Sequence, residues 1–209
     1  MVAMTASGTP PPAPTPSAQP TLTGPRVRLR PLEPEDHAAL RVILADPTVA
    51  RWWGTDDPDA ALADVIGQDG NVTLVVNVDG IVAGAIMYAE EADPDYRHAG
   101  IDIFLGSAYQ GSGLGSEAIR VLARYLLDER GHHRLTIDPA ADNDRAIRAY
   151  ESVGFRPVGI MRAYERGRDG SFHDGLLMDL IAGEIMGDLR AESRSDPETP
   201  EGPRSRPRR

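Results

Sequence analysis

The segment that most constrains this chain is Gln110-Gly111-Ser112-Gly113-Leu114-Gly115. The apolar run Ala99–Leu105 before it reads as a strand, and Leu114, Ala118, Val121, Leu122 and Tyr125 after it share one helical face. A strand therefore passes into a helix through a turn of glycines. Glycines clear side chains from such a turn, so that successive backbone N–H groups can converge on an anion at the helix N-terminus. The arrangement suits a pyrophosphate; plain helix packing is the other use of such glycines. No Lys-Ser/Thr follows the last glycine, so it is not a P-loop, and it lacks the G-x-G-x-x-G spacing of dinucleotide folds.

Around this motif the pattern predicts a mixed α/β domain. Arg26–Leu32 alternates as a first strand, and Pro34 opens a helix to about Ala45 that Asp46-Pro47 stops. A second helix covers about Pro58–Ile66. Strands Val72–Val78 and Ile81–Ala89 are joined by Asp79-Gly80, a hairpin turn signal. Then come strand Ala99–Leu105, helix Gly113–Leu127, strand Arg134–Asp138, helix Asn143–Ser152, and a final pair, Phe155–Met161 and Phe172–Ile181. The outer segments read differently. Residues 1–24 are rich in Pro, Ala, Thr and Ser and carry no charged side chain, and 187–209 are polar and proline-rich. Both are expected to be disordered, which leaves a folded unit of 25–186.

Composition narrows the function classes. All 22 basic residues are arginine, and there is no cysteine, hence no disulfide framework, thiol nucleophile or cysteine–zinc site. The span 25–187 holds 16 arginines against 27 acidic residues, a net of −11. Such a surface suits cations and disfavours nucleic acid, whose phosphates need a basic face. No apolar run approaches the ~20 residues of a membrane span, and no secretion signal is evident, so a cytoplasmic enzyme is expected. No His/Asp/Glu spacing suggests a metal site.

A second segment runs Asn143-Asp144-Arg145-Ala146-Ile147-Arg148-Ala149-Tyr150-Glu151-Ser152-Val153-Gly154-Phe155. Asn143 is placed to cap a helix, Ala146 and Tyr150 share one of its faces, and Gly154 ends it. Q-x-x-G-x-G after a strand, followed by N-x-x-A-x-x-x-Y-x-x-x-G-F, resembles the GCN5-related N-acetyltransferases (GNAT). The likeness includes Leu29-Arg30-Pro31-Leu32 and the helix ending at Asp46-Pro47. It implies a central mixed sheet with two splayed parallel strands, here Ala99–Leu105 and Arg134–Asp138, and acetyl-CoA as co-substrate lying between them. By resemblance Gln110, Gly111, Ser112, Gly113, Leu114, Gly115 and Ser116 hold the pyrophosphate. The backbone of Phe104 and Leu105 pairs with the pantetheine, and Asn143 and Ala146 meet it from the other side.

Within that family, Arg51-Trp52-Trp53-Gly54, Gly100-Ile101-Asp102, Asp138-Pro139 and Ala146–Glu151 are most similar to the aminoglycoside 6'-N-acetyltransferases. The acidic loop Glu90–Asp95 departs from them by lacking tryptophans, and Asp169-Gly170 with His173–Leu176 replaces a short proline-containing loop. Relatives that acylate a siderophore lysine, a polyamine or a protein N-terminus remain the alternative. The acceptor implied is a small polycationic amine, handled by a monomer or homodimer.

Direct attack of an amine on the thioester needs a proton sink and a proton for the departing thiolate. Asp102 interrupts an apolar strand, where a carboxylate is costly without a partner; by resemblance it is the base and an ion-pair partner for the amine, and a structural hydrogen bond is the other possibility. Tyr150 is the candidate acid, against a role in the core. By resemblance Asp138 contacts the acceptor, a turn residue before Pro139 being the other possibility; Asp179, another acid inside an apolar strand, and Trp52, as a stacking wall, are further expected contacts. Asp56, Asp57, Glu90 and Glu91 read more often as solvated loop acids; Asp57 is carried among the acceptor contacts. His132 and His133 follow a helix end, where capping fits better than catalysis.

Overall fold

A computed structural model describes residues 19–53, 57–67 and 70–187. Gly54, Asp56 and most of the two expected tails lie outside the described residues. Part of the first tail does not: Leu22–Thr23 form strand β1, paired with β2 (Arg28–Pro31) through Leu22↔Leu29 and Thr23↔Arg28. The buried carboxylate of Glu117 fastens this start of the chain, accepting from the Arg26 and Val27 amides and from Arg26 Nε at 2.6, 3.1 and 2.7 Å.

Strands β3 (Asn71–Val78) and β4 (Ile81–Glu90) form the expected hairpin. Asp79 and Gly80 both take positive φ, 51° and 84°, as a two-residue turn of this hand requires. β5 (Ala99–Leu105) pairs antiparallel with β4 along its whole length. β6 (Arg134–Ile137), β7 (Arg156–Arg166) and β8 (Phe172–Ile181) complete one mixed sheet in the order β1-β2-β3-β4-β5-β6-β8-β7.

Helices cover both faces. On one, α1 (His37–Leu44), α2 (Pro47–Ala50) and α3 (Pro58–Gly67) bury Leu40, Leu44, Val49, Ala61 and Val65 against Ala85, Met87 and Phe104. Asp46-Pro47 both stops α1 and starts α2: Asp46 accepts the Thr48 amide at 2.9 Å, with Pro47 in the first helical position. On the other face α4 (Leu114–Arg124) and α5 (Asp144–Glu151) pack on a larger core that includes Leu29, Leu74, Ile86, Ile101, Leu135 and Phe155.

The long expected helix from Gly113 to Leu127 changes character near its end, where Tyr125–Glu129 form a π-helical turn. Beyond it His132 is buried, not a cap: its Nε2 lies 2.6 Å from Glu90, which also receives two hydrogen bonds from Arg130 at 3.1 and 2.9 Å. Glu90 is thus a half-buried ion-pair centre instead of a solvated loop acid. Among the described residues no helix is long and apolar enough to cross a membrane, and no group of three or more His, Asp or Glu could hold a metal ion.

Candidate active site

The site begins with an interruption in the sheet. β5 and β6 run parallel but pair only through Ala99↔Leu135 and Gly100↔Thr136. Beyond Gly100 the two strands diverge, and the β6-facing edge of β5 has no strand partner. Into the gap open two cavities. One, of about 380 Å³, is bounded by Ile103, Phe104 and Leu105, the glycine turn, and Asn143, Ala146, Ala149 and Tyr150 of α5 and its cap. The other, of about 660 Å³, is bounded by Trp52, Trp53, Asp64, Asp102, Asp138, Tyr150, Tyr164 and Glu165. Trp52, Trp53, Ile103, Asn143 and Tyr150 line both, so the cavities meet there.

The first cavity lies between the end of β5, the glycine turn and the start of α5. Gly111 and Gly113 adopt φ of 75° and 81°, conformations that a side chain would strain. Gly113 caps α4, whose first amides therefore point at the turn. Gln110 braces the turn: its Nε2 donates to the Leu105 carbonyl at 2.6 Å, and its Oε1 accepts from Arg145 at 2.6 Å. Arg26 holds the outer side through the Ser112 carbonyl at 3.0 Å. Asn143 caps α5 as expected, accepting the Ala146 amide at 3.2 Å. Gly111, Gly113, Gly115 and Ser116 line the cavity with Gln110. Ser112 and Leu114 do not line it; Ser112 faces outward and Leu114 is core.

The second cavity is acidic and its electrostatics are coupled. Asp102 is exposed on β5 and lines this cavity, whose walls shield its carboxyl from bulk water. That desolvation, with the charges of Asp138 and Glu165, raises its pKa to about 7. Burial, and then the charge on Asp102, raise the pKa of Tyr150, so its phenol stays protonated at neutral pH. A hydrogen bond from the Tyr164 hydroxyl to Asp138 pushes the Tyr164 pKa up to about 12, burial adding to it. Trp53 packs edge-on against Phe104 at 4.9 Å, while Arg51 lies 4.4 Å over the Trp52 ring.

The gap brings Asp102, Tyr150, Asp138, Trp52, Asn143, Phe104 and Leu105 together. Two expected acceptor contacts fall elsewhere. Asp179 sits on β8 opposite Thr136 and accepts from Arg134 Nε at 2.9 Å, outside both cavities; an acid inside an apolar strand finds its partner in the neighbouring strand. Asp57 accepts the Asp59 amide at 2.9 Å at the start of α3 and lines neither cavity. Three polar residues lining the acidic cavity escaped sequence reading: Asp64, Tyr164 and Glu165. Asp64 carried a usable signal, since it falls between Ala61 and Val65 on a helix with an apolar side. The other two carried none, because the β7 strand was expected to end at Met161.

A family model described as "Acetyltransferase (GNAT) domain" matches residues 26–156. The chain belongs to the GNAT acetyltransferase family, and its activity class is that of an acetyl-CoA-dependent N-acetyltransferase. Among its relatives is an aminoglycoside N(6')-acetyltransferase type 1 of Klebsiella pneumoniae, 30% identical over 155 residues, covering 65% of this chain and 76% of that one. A spermidine N(1)-acetyltransferase of Escherichia coli (strain K12) is 26% identical over 175 residues, covering 81% and 93%. The solved structure of AAC(6')-Ib with ribostamycin and coenzyme A has the same fold, with a TM-score of 0.61, 24% identity and coverage of 75% and 94%.

Proposed function

We propose that the protein is an aminoglycoside 6'-N-acetyltransferase, with acetyl-CoA in the cleft beside the glycine turn and the acceptor in the acidic cavity. The observation that carries this reading is the junction of the two cavities at Tyr150, with Asp102 and Asp138 on the acceptor side. Bound acetyl-CoA supplies an acetyl thioester as the electrophile. Asp102 takes a proton from the acceptor ammonium, and the freed amine forms a C–N bond as the C–S bond breaks; the nitrogen then gives up a second proton, which reaches the departing thiolate through solvent and leaves the amide and the coenzyme A thiol. A carboxylate with a pKa of about 7 is well matched to this task at neutral pH. Tyr150 hydrogen-bonds to the departing sulfur. Its raised pKa makes full transfer to a thiolate uphill, so it assists departure without being indispensable. Asp138 and Trp52 bind the acceptor body, and the acidic surface draws in a polycation.

The relationship to a spermidine acetyltransferase supports a second reading, in which the acceptor is a linear polyamine. Thiol release from acetyl-CoA, followed across kanamycin, tobramycin, a 6'-hydroxyl analogue, spermidine and a lysine-bearing peptide, separates the two. Turnover confined to drugs with a 6'-amine is the expected result. Turnover with spermidine or the peptide alone would end the aminoglycoside reading.

A further inference from the structure

Neighbouring residues of a β-strand point to opposite faces, yet Tyr164 and Glu165 of β7 both line the acceptor cavity. The ladder explains this. Met161 pairs with Gly175, and the next pair is Glu165 with His173, so 162–164 stand opposite Asp174 alone. At the centre of this bulge Ala163 takes a left-handed φ of 50°, uncommon without glycine. Its amide donates to the Asp174 carboxylate at 2.8 Å. Gly175 leaves space for the Tyr164 ring, since a Cβ there would lie 2.9 Å from it. The bulge thus turns two consecutive side chains inward.

Their uses differ. Tyr164 hydrogen-bonds to Asp138. The Glu165 carboxylate has no hydrogen bond or ion pair among the described residues, and it lines both the acceptor cavity and an adjoining one of about 420 Å³. In the proposed reaction Asp102 is protonated by the reacting amine and cannot remain a counter-ion. A carboxylate without a hydrogen bond, close to two others and faced only by His173 across the ladder, is relieved further by a cation.

We infer that the Ala163 bulge is a specificity device that presents Glu165 to a second ammonium group on the acceptor, while Tyr164 holds Asp138 in position. This rests on the reading of the larger cavity as the acceptor site. Burial, together with the charge on Asp138, raises the Glu165 pKa, and His173 opposite it in the ladder offsets this only in part.

The test is calorimetric binding of a matched pair, 6-amino-6-deoxyglucose and 2,6-diamino-2,6-dideoxyglucose, to the full chain with coenzyme A present. Wild type should prefer the diamine. Glu165→Gln should weaken diamine binding about tenfold, the scale of one charge-assisted hydrogen bond, and leave the monoamine within about twofold. Asp174→Asn, which keeps an oxygen for the Ala163 amide, should behave as wild type, and Asp174→Ala should reproduce the Glu165→Gln loss. Equal effects on both sugars, or a wild type indifferent to the second amine, would overturn the inference. The acid limb of kcat/KM should also move to lower pH in Glu165→Gln, because one of the two negative charges that raise the Asp102 pKa is then gone, leaving Asp138, while Tyr150 and Tyr164 are neutral and His173 faces the substituted position. If wild type prefers the diamine but releases no thiol with any 6'-amine drug, the inference stands and the aminoglycoside reading falls.

Discussion

Asp102 and Tyr150 reach the same cavity from opposite faces of the sheet. Asp102 projects from β5 on the side of Phe104, toward α1–α3, whereas Tyr150 belongs to the core under α4 and α5. An intact sheet would keep them apart. The divergence of β5 from β6 after Gly100 removes that barrier.

The acid limb of kcat/KM should follow Asp102. A base must be ionised to act, so activity is expected to rise with pH through about 7 and level off above it. Asp102→Asn should lower kcat/KM by about 10²–10⁴-fold with acetyl-CoA binding intact. Stability should move the other way. A carboxyl whose folded pKa is raised costs the fold nothing below its unfolded value, an increasing amount between the two values, and its full penalty above about 7. The Asn variant should therefore gain more in Tm over wild type at pH 8 than at pH 4. Equal gains would show that desolvation does not govern this carboxyl.

Tyr150→Phe is expected to reduce kcat more than it changes the KM for acetyl-CoA, by roughly a hundredfold, at the low end of what a general acid contributes. Because the phenol pKa is raised, the basic side of the wild-type profile should show no loss assignable to Tyr150 up to pH 9. Unchanged kcat in the Phe variant would remove Tyr150 from the chemistry.

Gly84 tests the packing that sets the gap. It stands opposite Leu105 in β4, and a Cβ there would collide with the Phe104 carbonyl oxygen and lie 2.9 Å from the Leu105 Cα. Gly84→Ala must push β5 away from β4, at a cost of about 1–3 kcal/mol. Urea unfolding should show that loss together with weaker acetyl-CoA binding; stability equal to wild type would contradict the close approach.

Asp179→Asn should leave acceptor KM within about twofold and lower stability by about 1 kcal/mol, as for a partly exposed ion pair with Arg134. A large rise in acceptor KM would return Asp179 to the acceptor site.

What could be read from the sequence follows from how locally each feature is encoded. Asp79-Gly80, Asp46-Pro47, Asn143 and the glycine turn act through their own backbone, so they identify themselves in one dimension. Tyr150 was legible because its helix carries its cap and its stop beside it. The Tyr164–Glu165 pair was not, because its direction depends on Asp174 and Gly175, ten or so residues later on another strand. The same holds for Glu90, whose partners Arg130 and His132 arrive only after α4 has crossed the sheet. Asp179 misled for the complementary reason: an acid within an apolar strand announces a partner but not which one.

The two-pair seam between β5 and β6 also has a thermodynamic side. A molecule that stands where a strand would otherwise run fills a structural vacancy as well as a binding site. Its free energy of binding then adds to that of folding, by an amount that grows with the logarithm of its concentration over Kd. With acetyl-CoA bound in that gap as proposed, its concentration would set how firmly the halves of the sheet on either side of the seam are held together. Amides along the open edge of β5 beyond Gly100 should then exchange with solvent fastest when the thioester is absent.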